Sequence, residues 1–436
     1  MFSLLLPISH KVHVVLRSGP HRELIRSILV LILSLFVPAR PVAAQDLVSK
    51  VTAYMNAQAD INHFRGSILI AQKGQVLVSG AYGSGNGVPN GQSTRTQRFR
   101  LGSMSKQFTA AALLQLQQRG KLQLQDSVCG YIAKCPTSWR EIKLFDLLVQ
   151  ADGIPEVSGS FENREAGSAG AFPELLAHFG ERPLEFKPGE KFRYGNAGYV
   201  VLGAVIEKVS GETYSAYLKN HIFTPLGMRG TRYDAGRLYS TVDDLYLWDR
   251  ELYGGKTFSK ELADEMLRPY VDGHGFGWEI LREFDRIVDT QIGGIHVLPS
   301  SMRRYPGDDS CVIVLSNLDD VDAERISHDL AALLFGRHYE LPVRHLRIAL
   351  DPAIYGSYVG RYELAPDSTI VVTREGDRLV IQGIGESAVE ILPESETRFF
   401  IAGLNSEINF VRGMDGNAVY LILQQGGRDI PVRRIK

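Results

Sequence analysis

The 436-residue chain holds only three cysteines and three tryptophans, and its 48 basic side chains are matched by 49 acidic ones. So even a balance excludes the basic surplus of a nucleic-acid-binding chain. No apolar run approaches the roughly 20 residues that cross a bilayer. There is no internal repeat and no low-complexity tract. Neither a Cys-x-x-Cys nor a His-Glu-x-x-His occurs, so no zinc site and no cofactor is expected. A Gly-x-Ser-x-Gly is also missing, which removes the nucleophile-elbow signal. What is present is a globular composition, 44% apolar and 22% charged with 43 glycines. It is neither disordered nor collagen-like nor coiled coil. The length predicts two or three domains.

The longest apolar run, Ile28 to Val37, is broken only by Ser34. Lys11, Arg17, Arg22 and Arg26 precede it, and Val42-Ala43-Ala44 follows before Gln45. A basic region, a short apolar core and a small-residue site predict a secretory signal over residues 1–44. A membrane anchor would need a longer run. The first 44 residues hold five basic and one acidic side chain, which leaves 43 basic against 48 acidic in the rest. Such a chain has no electrostatic attraction to anionic lipid. Cys129 and Cys135 lie six apart, and an oxidising compartment predicts a local disulfide between them. Cys311 lies in the run Cys311-Val312-Ile313-Val314-Leu315 and reads as a buried small hydrophobe.

Ser67 to Ala71 and Val76 to Ser79 flank Lys73-Gly74, a hairpin signal. Gly83 to Gly87 reads as a loop, because no helix pattern opens after it. Ser103 to Arg119 predicts a buried helix stopped by Gly120, and Gly198 to Ser210 one stopped by Gly211. Ser310 to Ser316 predicts a buried strand. The pattern changes near Leu341-Pro342. From Gly360 to Ile435 about eight short β-rich runs alternate with turn signals, which predicts a small antiparallel barrel. The preceding part mixes helices and strands and reads as α/β or α+β.

An exported enzyme without a metal must find its nucleophile among side chains. Ser103-Met104-Ser105-Lys106 opens the first buried helix, and the i,i+3 spacing puts Ser103 and Lys106 on one face. A serine hydroxyl needs a base, and a lysine serves only when desolvation and the helix dipole lower its pKa. Alone, the tetrapeptide reads equally well as a helix N-cap with a solvated lysine. A second element follows about ninety residues later, where Tyr194-Gly195-Asn196 precedes the second helix. Tyrosine can relay a proton, and asparagine can hold both an amide and an ammonium.

With these motifs in this order, the chain resembles the β-lactamase-related serine hydrolases. These include class C β-lactamases, D-alanyl-D-alanine carboxypeptidases, D-aminopeptidases and family VIII esterases. The likeness runs from about Gly66 to Asn317. It takes in Phe99-Arg100-Leu101-Gly102, Gly120 to Asp126, Leu226-Gly227-Met228, Tyr239 to Leu245 with Trp248, and Gly275-Phe276-Gly277-Trp278. The resemblance implies a penicillin-binding-protein-like α/β (α+β) domain with helices around an antiparallel sheet. It makes Ser103 the acylated nucleophile, Lys106 its base, Tyr194 the proton relay and deacylation base, and Asn196 a holder of the substrate amide. The tail after Leu341 resembles the lipocalin-like barrel often fused to this family. The expected organisation is a signal at 1–44, a hydrolase domain at 45–340 and a barrel at 341–436.

Departures from the family pattern are equally specific. Its third motif, Lys/His-Thr/Ser-Gly, reads Gln291-Ile292-Gly293-Gly294, so the cation for a substrate carboxylate is missing. Gln291 can hydrogen-bond, Gly293 completes the motif, and the Gly294 N–H with that of Ser103 could form an oxyanion hole. Val297-Leu298 replaces the usual Gly-Phe, and His296 reads as structural. Gln150-Ala151-Asp152-Gly153 replaces His-Thr-Ser-Gly, and a segment is missing between Asp234 and Ala235. The expectation is an exported serine hydrolase, periplasmic or secreted, acting on ester, amide or peptidoglycan-like peptide substrates. Loss of the cation favours uncharged esters over penicillins. The alternative is a weakened relative that binds cell-wall peptide or another ligand without turnover. The barrel is expected to be filled by side chains, as a lid or oligomerisation element, or to carry a ligand pocket of its own.

Overall fold

The computed structural model describes residues 42–435, except 84–95, 156–170, 180–181, 294–298, 366–367, 384–387, 402–405, 426–427 and the positions 235, 256, 320 and 343. The predicted export signal therefore lies outside the described residues up to position 41. Strands β1 (Gly66–Gln72) and β2 (Gln75–Tyr82) form the expected hairpin. Lys73 and Gly74 both have positive φ, 51° and 73°. This is the two-residue turn that matches strand twist, and glycine takes it without a Cβ penalty.

Strand β3 (Phe99–Arg100) joins β4 (Arg232–Asp234) and β5 (Arg237–Ser240) in a small sheet. Asp234 pairs with Arg237 where a family segment was expected to be missing. The main antiparallel sheet adds β6 (Glu279–Glu283), β7 (Arg286–Ile292), β8 (Ser300–Tyr305) and β9 (Ser310–Ser316) in the order β2-β1-β9-β8-β7-β6. Side chains alternate across this sheet, as a strand period of two requires. Ile68, Ile70, Val312 and Val314 face one core with Val51, Tyr54 and Met55 of α1 (Val42–Ile61). Leu69, Ala71, Ile313 and Leu315 face the other, with Phe108 and Leu113 of α2 (Lys106–Gln118). Both faces are covered, so β9 is buried throughout.

The second core continues into a helical lobe. Helix α3 (Leu144–Leu148), α4 (Ala171–Phe179) and α5 (Ala197–Ser210) lie beyond α2, followed by α6 (Tyr214–Leu218). Then come α7 (Val242–Glu251), α8 (Lys260–Met266) and, back under the sheet, α9 (Ala323–Leu334). The helix expected from Ser103 starts as a 3-10 turn, Gly102–Ser105, and becomes α-helical at Lys106. It ends as expected: Gly120, at φ +66°, donates to Gln117 O and Lys121 donates to Leu116 O. Those two bonds are the Schellman pattern that a left-handed glycine permits. Cys129 and Cys135 are disulfide-bonded, with Cα atoms 5.2 Å apart, and Cys311 is free and buried.

The eight short runs after Gly360 are eight strands. They are β10 (Gly360–Ala365), β11 (Ser368–Glu375), β12 (Arg378–Gln382), β13 (Val389–Pro393), β14 (Arg398–Ile401), β15 (Glu407–Arg412), β16 (Ala418–Gln425) and β17 (Arg428–Arg434). Each pairs antiparallel with the next, and β10 closes on β17 through Tyr362 and Arg434. Closure leaves no edge strand to aggregate. The core is Tyr358, Tyr362, Val372, Phe399, Phe410, Leu421 and Val432 with their neighbours. Among the described residues no helix is long and apolar enough to cross a membrane.

Candidate active site

The turn before α2 is set by close backbone packing. Gly102 has φ +54°, and a Cβ there would come within 3.3 Å of Gly293. A Cβ on Gly293 would meet Ser300 Oγ at 2.0 Å and Leu101 O at 2.1 Å. Gly293 N–H donates to Ser300 O (2.8 Å), and Ser300 Oγ donates to Leu101 O (3.1 Å). The end of β7 is thus locked against the segment that carries Ser103. From the other side, Gly277 presses on the first turn of α2.

The N-cap reading of Ser103-x-x-Lys106 does not hold. Neither end of the 3-10 turn is capped by a side chain, and Lys106 is only 4% exposed. Its ammonium donates to Ser103 Oγ (3.1 Å), Tyr194 Oη (3.0 Å) and Asn196 Oδ1 (2.7 Å). It also lies 4.7 Å from the centre of the Tyr194 ring and 5.6 Å from that of Tyr199. Tyr194 Oη in turn donates to Ser103 Oγ. Three of the four residues expected to act together, Ser103, Tyr194 and Asn196, therefore converge on the Nζ of the fourth, Lys106. Asn196 is the N-cap of α5 but makes no capping bond with its side chain. That amide is given to Lys106 instead.

Two tyrosines lie near the ammonium, and their surroundings separate them. Tyr199 is buried and donates to Leu148 O (2.9 Å). Burial, then the nearby Tyr194 and Asp152, push its phenol far above the ordinary tyrosine range, so it stays neutral. Tyr194 is 48% exposed, and its hydroxyl lies between Lys106 and Ser103. Of the two, Tyr194 is the one placed to pass a proton to or from a bound molecule.

Gln291 lies on β7 beside the serine, with its amide turned to Ser103 O (3.3 Å) and Ile292 O (3.2 Å). Gly293 is in place, whereas Gly294, His296, Val297 and Leu298 lie outside the described residues. Other contacts around the motifs gave no signal in the sequence. Gln107, next to Lys106, accepts from Trp248 Nε1 (2.6 Å) and ties α2 to α7. Gln150 and Asp152 were visible only as departures from a pattern. In the fold they lie behind the Tyr194 loop.

A family model described as Beta-lactamase matches residues 57–337, and the chain belongs to that family. A second model, described as a domain of unknown function (DUF3471), matches residues 347–434. Penicillin-binding protein 4* of Bacillus subtilis (strain 168) is 28% identical over 435 residues, covering 85% of this chain and 95% of its own. The fold is similar to the octameric penicillin-binding protein homologue from Pyrococcus abyssi, at TM-score 0.60 and 23% identity over 88% of this chain and 100% of that one. It is also similar to a β-lactamase/D-alanine carboxypeptidase from Yersinia pestis complexed with citrate, at TM-score 0.57 and 19% identity over 67% of this chain and 99% of that one.

Proposed function

We propose that the chain is an exported serine hydrolase working through an acyl-enzyme on Ser103. The observation that carries this reading is the Lys106 ammonium bonded at once to Ser103 Oγ, Tyr194 Oη and Asn196 Oδ1. With Lys106 in its free-base form, Ser103 Oγ attacks the substrate carbonyl carbon and its proton passes to Nζ. The carbonyl oxygen gains the electron pair, stabilised by the N–H of Ser103 together with that of Gly294, as the resemblance implies. The intermediate collapses, and the leaving oxygen or nitrogen takes a proton through Tyr194 Oη. Water then attacks the ester carbonyl carbon as its proton passes to Tyr194 Oη, and Tyr194 hands its own proton to Ser103 Oγ as the acyl–oxygen bond breaks, releasing the acid and restoring Ser103. Asn196 holds the acyl amide or carbonyl.

The substrate class follows from β7. Gln291 provides an amide where the family pattern has a cation, so a carboxylate would be desolvated without a partner. Uncharged esters and amides fit better than penicillins or free D-alanyl peptides. Export is supported by the N-terminal charge and apolar pattern and by the Cys129–Cys135 bridge. The division at residues 340 and 341 is supported by family models that end at 337 and begin at 347.

The altered third motif, with the segment missing between Asp234 and Ala235, favours a second reading, a weakened relative that binds cell-wall peptide or another ligand without turnover. The test is the intact mass of the chain from Gln45 after exposure to a fluorophosphonate, with Ser103→Ala alongside. One adduct on the parent and none on the variant is expected, and hydrolysis of short-chain esters should then follow. A folded parent that takes no adduct would overturn the hydrolase reading in favour of the binder. An adduct retained by Ser103→Ala would overturn the residue assignment.

A further inference from the structure

We propose that Gln150 is a positioning residue that holds Tyr194 and Asn196 against Lys106, and that the change from His-Thr-Ser-Gly to Gln150-Ala151-Asp152-Gly153 rebuilds this support. The proposal rests on the hydrolase reading of the same site. Gln150 is 6% exposed and grips the loop on both sides of Tyr194. Its carbonyl accepts from Arg193 N–H (2.9 Å), and its side-chain Oε1 accepts from Gly195 N–H (2.9 Å). Tyr194 is therefore suspended between two backbone bonds to one residue. That residue stands at φ +56°, a region that side chains other than glycine rarely adopt. Strain of this kind persists only where the surroundings over-determine it, and it gathers at functional sites.

The rest of the tetrapeptide works to the same end. Ala151 N–H donates to Asp146 O and Ala151 O accepts from Gly189 N–H, both at 2.8 Å. Asp152 Oδ1 accepts from Ile154 N–H (2.8 Å), and a Cβ on Gly198 would come within 2.7 Å of Asp152 Oδ2. A carboxylate thus lies against the first turn of α5, the helix that Asn196 leaves uncapped by its own side chain. Gly153 closes the turn at φ +75°, where a Cβ would meet Phe186 O at 2.3 Å. Gln150 touches neither Ser103 nor Lys106 through these bonds. It acts through the Tyr194 loop.

The test uses three variants of the full chain, labelled at Ser103 by a fluorophosphonate, with the maximal labelling rate and the half-saturating concentration measured separately. Gln150→Met keeps the length and the strained backbone but removes the acceptor. Gln150→Gly removes the acceptor and relieves the strain. Gln150→Glu keeps an acceptor oxygen at the same reach. The Met and Gly variants are expected to lose about 10- to 100-fold in maximal labelling rate with little change in half-saturation, as a small misplacement of a reacting group does. The Gly variant should lose that rate while unfolding at the same temperature or higher. The Glu variant should stay within about threefold of the parent. A Met or Gly variant that labels at the parent rate overturns the proposal. A Met variant that is unfolded at 25 °C also overturns it, by assigning Gln150 to the fold alone. A parent that takes no label at Ser103 refutes the hydrolase reading itself, a result distinct from either.

Discussion

Gly277→Ala should damage both stability and the active site, because the glycine has no room and no alternative conformation. Its φ is +75°, and an added Cβ would sit 2.8 Å from Gln107 N, 2.9 Å from Lys106 C and 3.1 Å from Gln107 Cα. All three are backbone atoms of the first turn of α2, so no flexible side chain can move aside. A left-handed L-residue costs about 1–2 kcal/mol. Overpacking of a dense interior adds about 1–3 kcal/mol. The lower entropy of the unfolded alanine chain offsets about 0.4–1 kcal/mol. The net loss should be about 3 kcal/mol. Relaxing the closest contact to the 3.4 Å of ordinary packing moves the turn by about 0.6 Å. A shift of that size along the Lys106–Tyr194 bond, now 3.0 Å, would take it past hydrogen-bonding length. Urea unfolding followed by tryptophan fluorescence reads the effect on this part of the chain, since Trp139, Trp248 and Trp278 all lie in its core. Fluorophosphonate labelling reads the site, and its rate should fall by about 10- to 100-fold. Gly130→Ala is the control: nothing lies within 4 Å of its Cβ position, and its stability should change by less than about 1 kcal/mol. If Gly277→Ala unfolds and labels like the parent, the packing argument for this turn is wrong.

Reducing the Cys129–Cys135 bridge, whose ends are six residues apart, should cost about 2 kcal/mol by loop entropy, read from the urea midpoint with and without reductant. Three titratable thiols in the oxidised, denatured chain would show that the bridge is not there. Asp289 is buried against Arg304, which also binds Asp249, and burial followed by repulsion from Asp249 pushes its pKa up to about 6 despite Arg304. A raised carboxyl pKa means the folded state binds the proton more tightly, so stability should fall as pH rises from about 4 to about 6 and stay lower above that. Asp289→Asn should remove about 2–3 kcal/mol of that dependence in a melting-temperature series, and an unchanged slope would refute it. Phe399→Ala empties the barrel beside Tyr358 and Phe410 and should cost the barrel about 3–5 kcal/mol, seen as faster amide exchange over residues 360–434. Ser103 labelling should continue at the parent rate, and its loss would argue against separate domains.

Whatever is encoded within a turn or two was legible from the residues. Lys73-Gly74 specified a hairpin because its backbone angles suit that turn, and Gly120 ended α2 by taking φ +66°. Short β-rich runs between turn signals marked the eight barrel strands, and the apolar run Ser310 to Ser316 marked β9 of the main sheet at its observed limits. Ser103 and Lys106 share a face by helical spacing, and their 3.1 Å contact needs only local geometry. Whether that lysine was solvated or buried was decided by the helices and strands packed around it. Tyr194 and Asn196 reach Lys106 across 88 and 90 residues, and Gln291 reaches Ser103 O across 188. Spacing cannot encode such approaches; they depend on sheet register and on how α5 seats against α2. A barrel was expected from the eight short runs, but the pairs that close β10 on β17, Tyr362 with Arg434 and Glu363 with Arg433, join residues some seventy apart and were beyond local pattern. Gln150 shows the limit most clearly. As a residue it was a departure from a motif, and only the fold turned its two acceptors towards the backbone on either side of Tyr194.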